Sequence, residues 1–208
     1  MYGSAVYVLI LALVSRAAVA SPVRATRSVQ SDRADNCTTS ARDLLATLKR
    51  ALNKPEKMGS NMLFHGFNCT DLEAVVNPNT QTVGVCQPSQ DMKCSDQKTS
   101  PFSETECLQN IANDLDYHRS MLVEYVRTLD QKSNSESITE LNSITNLINN
   151  LQQSCKLLPK PESLKDKWSP SNSFEDRKDL CKQLKGFELR TITINRALGY
   201  VCAGEYKK

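Results

Sequence analysis

The chain has 208 residues, of which 39% are hydrophobic, 24% charged and 6% aromatic, with 8 Cys and a formal net charge of +3. That balance is globular and excludes a disordered tail or a membrane channel, and so small a charge argues against nucleic acid as a partner. The length suits one core rather than two.

Residues 1–20 read as a signal peptide. An apolar run from Ala5 to Val14 is followed by Arg16 and by Ala18-Val19-Ala20 before Ser21, the small-x-small pattern of a secretory cleavage site. The run is too short to span a bilayer, and no later segment approaches about 18 apolar residues. Removing residues 1–20 leaves 188 residues with 25 basic against 23 acidic side chains, since Arg16 is the one charge lost. The mature chain is therefore expected to be secreted and extracellular. All eight cysteines lie in it, and an even count in an oxidising compartment reads as four disulfides. Asn36-Cys37-Thr38 and Asn68-Cys69-Thr70 are sequons for the same compartment, each with a cysteine at its centre, where glycan transfer competes with disulfide formation.

Residues 21–36 are rich in Ser, Arg and Asp without an apolar period and are expected to form a mobile N-terminal segment. Arg24 and Arg27 there match a processing pattern but fit a basic tail better. From Ser40 the pattern changes. Ala41, Leu44, Leu45, Leu48, Ala51 and Leu52 recur at three and four residues, Ser40 and Asp43 have capping-box spacing, and Pro55 ends a first helix. Residues 55–102 carry Cys69, Cys86 and Cys94 with no sustained period, a loop long enough to need covalent support or a function. Ser103 and Glu106 open a second helix through Leu108, Ile111, Leu115, Leu122, Val126 and Leu129. A third follows after a short polar stretch, through Ile138, Leu141, Ile144, Ile148, Leu151 and Cys155. Pro159, Pro161 and Pro170 mark a second long loop. Ser173 and Asp176 then cap a fourth helix through Leu180, Leu184, Phe187, Thr191, Ile194, Leu198 and Val201, the strongest period in the chain. Gly186 inside it is a local weakness of up to about 1 kcal/mol. No strand pattern or internal repeat appears. Residues 37–208 are thus expected to form one all-α domain, a long-chain four-helix bundle. Its short second connection and long first and third connections permit an up-up-down-down path with two crossovers.

Cystine geometry sorts the cysteines by end of such a bundle. Cys37, Cys107, Cys155 and Cys202 fall at one end and Cys181 at the other, where Cys69 is its natural partner. Cys86 and Cys94 come down near Cys37 and Cys107 without a pairing being fixed, and Cys155 and Cys202 are left to each other unless one of them bonds another chain. Zinc is a poor alternative, with no Cys-x-x-Cys and only His65 and His118 as histidines. His118 falls on or beside the buried stripe of the second helix and suits a packed or hydrogen-bonded side chain better than a ligand. No nucleophile elbow, phosphate loop or metalloprotease motif occurs, and Glu104 and Glu106 suit a helix start better than acid–base work. No enzyme and no cofactor are expected.

The fourth helix carries a second stripe, Leu189, Ile192, Thr193, Arg196 and Tyr200. An arginine and a tyrosine one turn apart beside aliphatics have the composition of an interface hot spot. Equally, both could lie under a loop of their own chain. Here the run Phe187-Glu188-Leu189-Arg190-Thr191-Ile192-Thr193-Ile194-Asn195-Arg196-Ala197-Leu198-Gly199-Tyr200 resembles the last helix of the interleukin-12 alpha subunit family. Leu180-Cys181, the Cys94-to-Cys107 interval containing Lys98-Thr99-Ser100, and Asn113-Asp114-Leu115 leading to Tyr117 are similar to that family too. The resemblance implies a four-helix cytokine chain that pairs with a receptor-like beta subunit and binds cell-surface receptors in T-cell and NK-cell, interferon-gamma-type signalling. It also implies that Arg196, with Tyr200 beside it, enters a pocket of the beta subunit, and that Cys37–Cys94, Cys86–Cys107 and Cys69–Cys181 are the bridges. The family's further first-loop cysteine, which bonds the beta subunit, has no counterpart between Cys86 and Cys94, while Cys155 and Cys202 are additional. Two other readings are a single-chain interleukin-6-type cytokine and a disulfide-stapled carrier for a small apolar ligand.

Overall fold

The structure, a computed structural model, describes residues 27–53, 63–87, 103–130, 132–162, 168–171 and 173–204, with backbone alone for 27–35. The expected signal peptide, Arg24 and Cys94 lie outside these. Contacts divide the chain into Met1–Asp32 and Arg33–Lys208, and the packing below belongs to the second unit. Among the described residues there are five α-helices, a 3-10 turn and no strand: α1 Arg27–Leu52, the turn Cys69–Asp71, α2 Thr82–Val85, α3 Glu104–Arg127, α4 Ser135–Ser154 and α5 Phe174–Ala203.

The expected starts of α3 and α5 are present as caps. Ser103 Oγ accepts from the Glu106 amide at 3.2 Å. Ser173 and Asp176 exchange bonds in both directions as a capping box. Past its last turn α5 ends on Gly204, at φ 72°, a left-handed conformation that lets its amide reach back to Val201 O at 3.0 Å. The first helix departs from expectation. It is already helical at Arg27, within the segment expected to be mobile, and Ser40 lies inside it. The Ser40–Asp43 spacing is therefore not a cap; Ser40 Oγ instead meets Ser154 Oγ at 3.1 Å.

The stripes read from the sequence form the core. Leu44, Leu48, Ile111, Leu115, Leu122, Leu141, Ile144, Ile148, Leu151, Leu180, Leu184, Phe187, Ile194 and Leu198 are fully buried. Each such aliphatic contributes about 1.5–3 kcal/mol relative to exposure. The middle of α1 meets the last turn of α4 and the C-terminal third of α5: beside the Ser40–Ser154 contact, Asn195 Nδ2 donates to Ala41 O at 2.9 Å. Along α3 and α5, Asp114 faces Arg190 and His118 stacks on Phe187 with ring centroids 4.1 Å apart. Further along α3, Tyr125 stacks on Trp168, ahead of α5, at 5.6 Å.

Among the described residues three bridges staple these elements. Cys69–Cys181 ties the first loop to the start of α5, and Cys86–Cys107 ties the end of α2 to the start of α3. The third is Cys37–Cys155, which corrects both the implied Cys37–Cys94 pair and the expected Cys155–Cys202 pair. The reason is local. Cys37 lies fully buried one turn before Ala41, at the level where α4 ends, and its Cα is 4.5 Å from that of Cys155. Sorting by end placed the two cysteines together, and pairing by elimination then separated them.

Candidate partner-binding face

The first loop is fastened along α5, and this sets what the helix leaves exposed. The Val75 amide donates to Lys182 O at 2.9 Å, and Lys185 Nζ donates to Thr70 O at 2.9 Å and to Leu72 O. Gly186 makes the approach possible: a Cβ there would stand 1.9 Å from Val75 O. The glycine that reads as a helix weakness is where loop backbone lies against helix backbone.

One turn on, a buried polar cluster holds the same loop. Arg190 donates through Nη2 to Asn77 O at 3.2 Å and Thr80 O at 2.9 Å, while its Nε lies 3.8 Å from Asp114 Oδ2. Asp114 accepts from the hydroxyls of Thr80 and Thr82. Gln81 adds an amide bond to Asn110 Oδ1 at 2.8 Å. Hydrogen bonds thus reach both members of the ion pair, as a buried pair requires, while Arg190 Nε itself has the Asp114 charge beside it and no hydrogen bond. Next to it His118 is fully buried and shares a 2.7 Å hydrogen bond with Asp114 O. Burial lowers its pKa to about 4, with the nearby Arg190 charge acting in the same direction and Asp114 opposing. The packed, hydrogen-bonded His118 is as the sequence suggests, but its neighbours Asp114 and Arg190 were missed. The signal was present: Asp114 and His118 stand on the same helical stripe as Ile111, Leu115 and Leu122, and Arg190 is three residues from Phe187.

With Leu184, Phe187, Arg190, Thr191, Ile194 and Leu198 turned inward, the second stripe of α5 is left at the surface. Leu189 is 50% exposed and Tyr200 40%, Arg196 is exposed, and Ile192 and Thr193 are half-buried. Exposure of Arg196 favours a solvent-facing stripe over one lying beneath a loop. Both sequon asparagines, Asn36 and Asn68, are exposed too, and Cys202 is half-buried at the end of the same helix. Elsewhere a groove of about 690 Å³ runs between α1 and α4, lined by Asp43, Thr47, Arg50, Asn142, Asn146 and Asn150 among others. Ala46 and Leu147 lie among these polar side chains, so polar and apolar surface share the lining. Among the described residues no group of three or more His, Cys, Asp and Glu could hold a metal, and no helix is long and apolar enough to cross a membrane.

The model of the interleukin-12 alpha subunit family matches residues 4–204. The chain belongs to the interleukin-12 alpha subunit family. Members of this family are cytokine chains, and the chain is not an enzyme. No curated protein and no solved structure matches it. The family is one of cytokine subunits that pair with a partner, which gives the exposed stripe of α5 a context that its composition alone did not supply.

Proposed function

We propose that this is a secreted cytokine subunit that pairs with a receptor-like beta subunit through Leu189, Ile192, Thr193, Arg196 and Tyr200 of α5, its other surfaces engaging cell-surface receptors of interferon-gamma-type immune signalling. The observation that carries it is the exposure of Leu189, Arg196 and Tyr200 on a helix whose opposite face is buried along its length. Around an arginine and a tyrosine, such a surface has the chemistry from which hot spots are built. The path proposed for the bundle is up-up-down-down. It is supported by the opposed order of the α3–α5 contacts and by the short turn between α3 and α4.

Arg196→Ala is expected to weaken assembly with the beta subunit by about 2 kcal/mol or more, with an unchanged far-ultraviolet circular-dichroism spectrum. Unaltered assembly would remove Arg196 from the interface. Reducing and non-reducing gels of the co-secreted pair distinguish a covalent from a noncovalent heterodimer, and secretion of an active lone chain would favour the single-chain reading instead.

A further inference from the structure

Both sequons have a buried bridge at their centre. Cys37 and Cys69, the middle residues, are 0% and 4% exposed and are joined to Cys155 and Cys181, at sequence separations of 118 and 112. In the folded chain neither sequon is extended. Asn36 sits within α1, and Asn68 caps the 3-10 turn, its Oδ1 accepting from the Thr70 amide at 3.1 Å and the Thr70 hydroxyl at 2.8 Å. At Asn68 the acceptor amide's oxygen and the hydroxyl needed for transfer are thus bonded to each other, beside a cysteine fixed in a bridge.

The same geometry accepts a glycan once it has been added. Asn68 uses Nδ2 for one bond, to Asp71 Oδ1 at 3.3 Å. An N-linked sugar replaces one of the two amide hydrogens, so the other can keep that bond while Oδ1 keeps the cap. The order of synthesis supplies the opportunity. At about 5–20 residues per second, separations of 118 and 112 residues give on the order of 6–24 s between each sequon cysteine and its partner.

We propose that Asn36 and Asn68 are N-glycosylation sites filled while Cys37 and Cys69 are still reduced, and that Cys37–Cys155 and Cys69–Cys181 then close beneath the finished glycans. The donor is a polyprenyl-pyrophosphate-linked oligosaccharide. Asparagine Nδ2 bonds to the sugar's anomeric carbon and gives up one proton as the carbon–oxygen bond to pyrophosphate breaks. Each later bridge forms by loss of two electrons and two protons to a protein disulfide of the secretory compartment. The proposal rests on the reading of a secreted chain.

The test expresses the full chain in secretory cells as wild type, Asn36→Gln, Asn68→Gln, Cys155→Ser and Cys181→Ser. Lumenal entry is read by protease protection, and glycans by peptide-N-glycosidase shifts on reducing gels of lysate and medium. Two shifts are expected in the wild type, one in each Asn→Gln variant, and two at undiminished and unincreased occupancy in each Cys→Ser variant. Because lysate is scored, a serine variant that fails to fold still reports. A protected chain lacking either shift overturns the proposal. Occupancy that rises in the serine variants overturns the order, because the bridge would then be competing with transfer. An unprotected chain overturns the secretion reading together with the proposal.

Discussion

His118 and Asp114 are neighbours on α3 with opposite requirements. His118 is fully buried and neutral, and burial, more than any charge near it, lowers its pKa from 6.5 to about 4. The unfolded chain therefore binds a proton below pH 6.5 that the folded chain refuses until about pH 4, so stability falls as pH drops through that window. The loss is on the order of 3 kcal/mol when complete. In denaturant titrations at a series of pH values, His118→Gln is expected to flatten this slope. Asp176 acts lower: hydrogen bonds from the Ser171 and Ser173 hydroxyls, then from their amides, hold its carboxyl well below the usual carboxylate range. Its contribution is present above the unfolded value of 3.8 and is lost only as pH falls below that. Asp114→Ala leaves Arg190 buried without its carboxylate and two threonine hydroxyls without their acceptor. A loss of about 3–5 kcal/mol in the unfolding free energy from urea titration is expected, partly recovered when Arg190→Leu is added, because the cost lies in the orphaned partner.

Helix α5 has two faces, one in the core and the other the proposed interface. Its residue Gly186 separates helix propensity from packing. In an isolated helix, Gly→Ala at this position would stabilise by up to about 1 kcal/mol. Here the added methyl would meet Val75 O at 1.9 Å, a backbone atom that cannot rotate away. Gly186→Ala is expected to destabilise by about 1–3 kcal/mol, with increased hydrogen exchange of the Val75 amide as the loop lifts off Lys182 O. A stabilised variant would show that the loop yields freely. Helix α4 presents the other situation. Leu141, Ile144, Ile148 and Leu151 are fully buried while Asn142, Asn146 and Asn150 line the groove against α1, so packing rather than propensity sustains it.

The three bridges tie the first loop and the helix ends into one unit. Cys37–Cys155 spans 118 residues and restricts the unfolded chain over more than half its length. Cys155→Ser is expected to lower stability by about 2–4 kcal/mol. A non-reduced digest should contain the Cys37 and Cys155 peptides joined; Cys37 recovered on Cys94 instead would restore the pairing that the family resemblance implies. Loss of that bridge is not expected to alter the α5 stripe at Arg196, so assembly with a beta subunit provides an independent readout.

The helices were legible because hydrophobic period and caps are local properties. Ser103 and Ser173 start helices where the spacing placed them, and Leu180 through Leu198 form the stripe that the spacing predicts. Ser40–Asp43 has the same spacing and caps nothing, because α1 already runs through it. The Asp114–Arg190 pair and the role of Gly186 depend on where loop residues 75–82 come to lie, and the choice of Cys155 for Cys37 depends on the end of α4 lying level with the interior of α1. Local sequence dictates which residues turn inward along each helix; the partner that each buried charge or thiol meets is decided only when different elements of the chain are packed together.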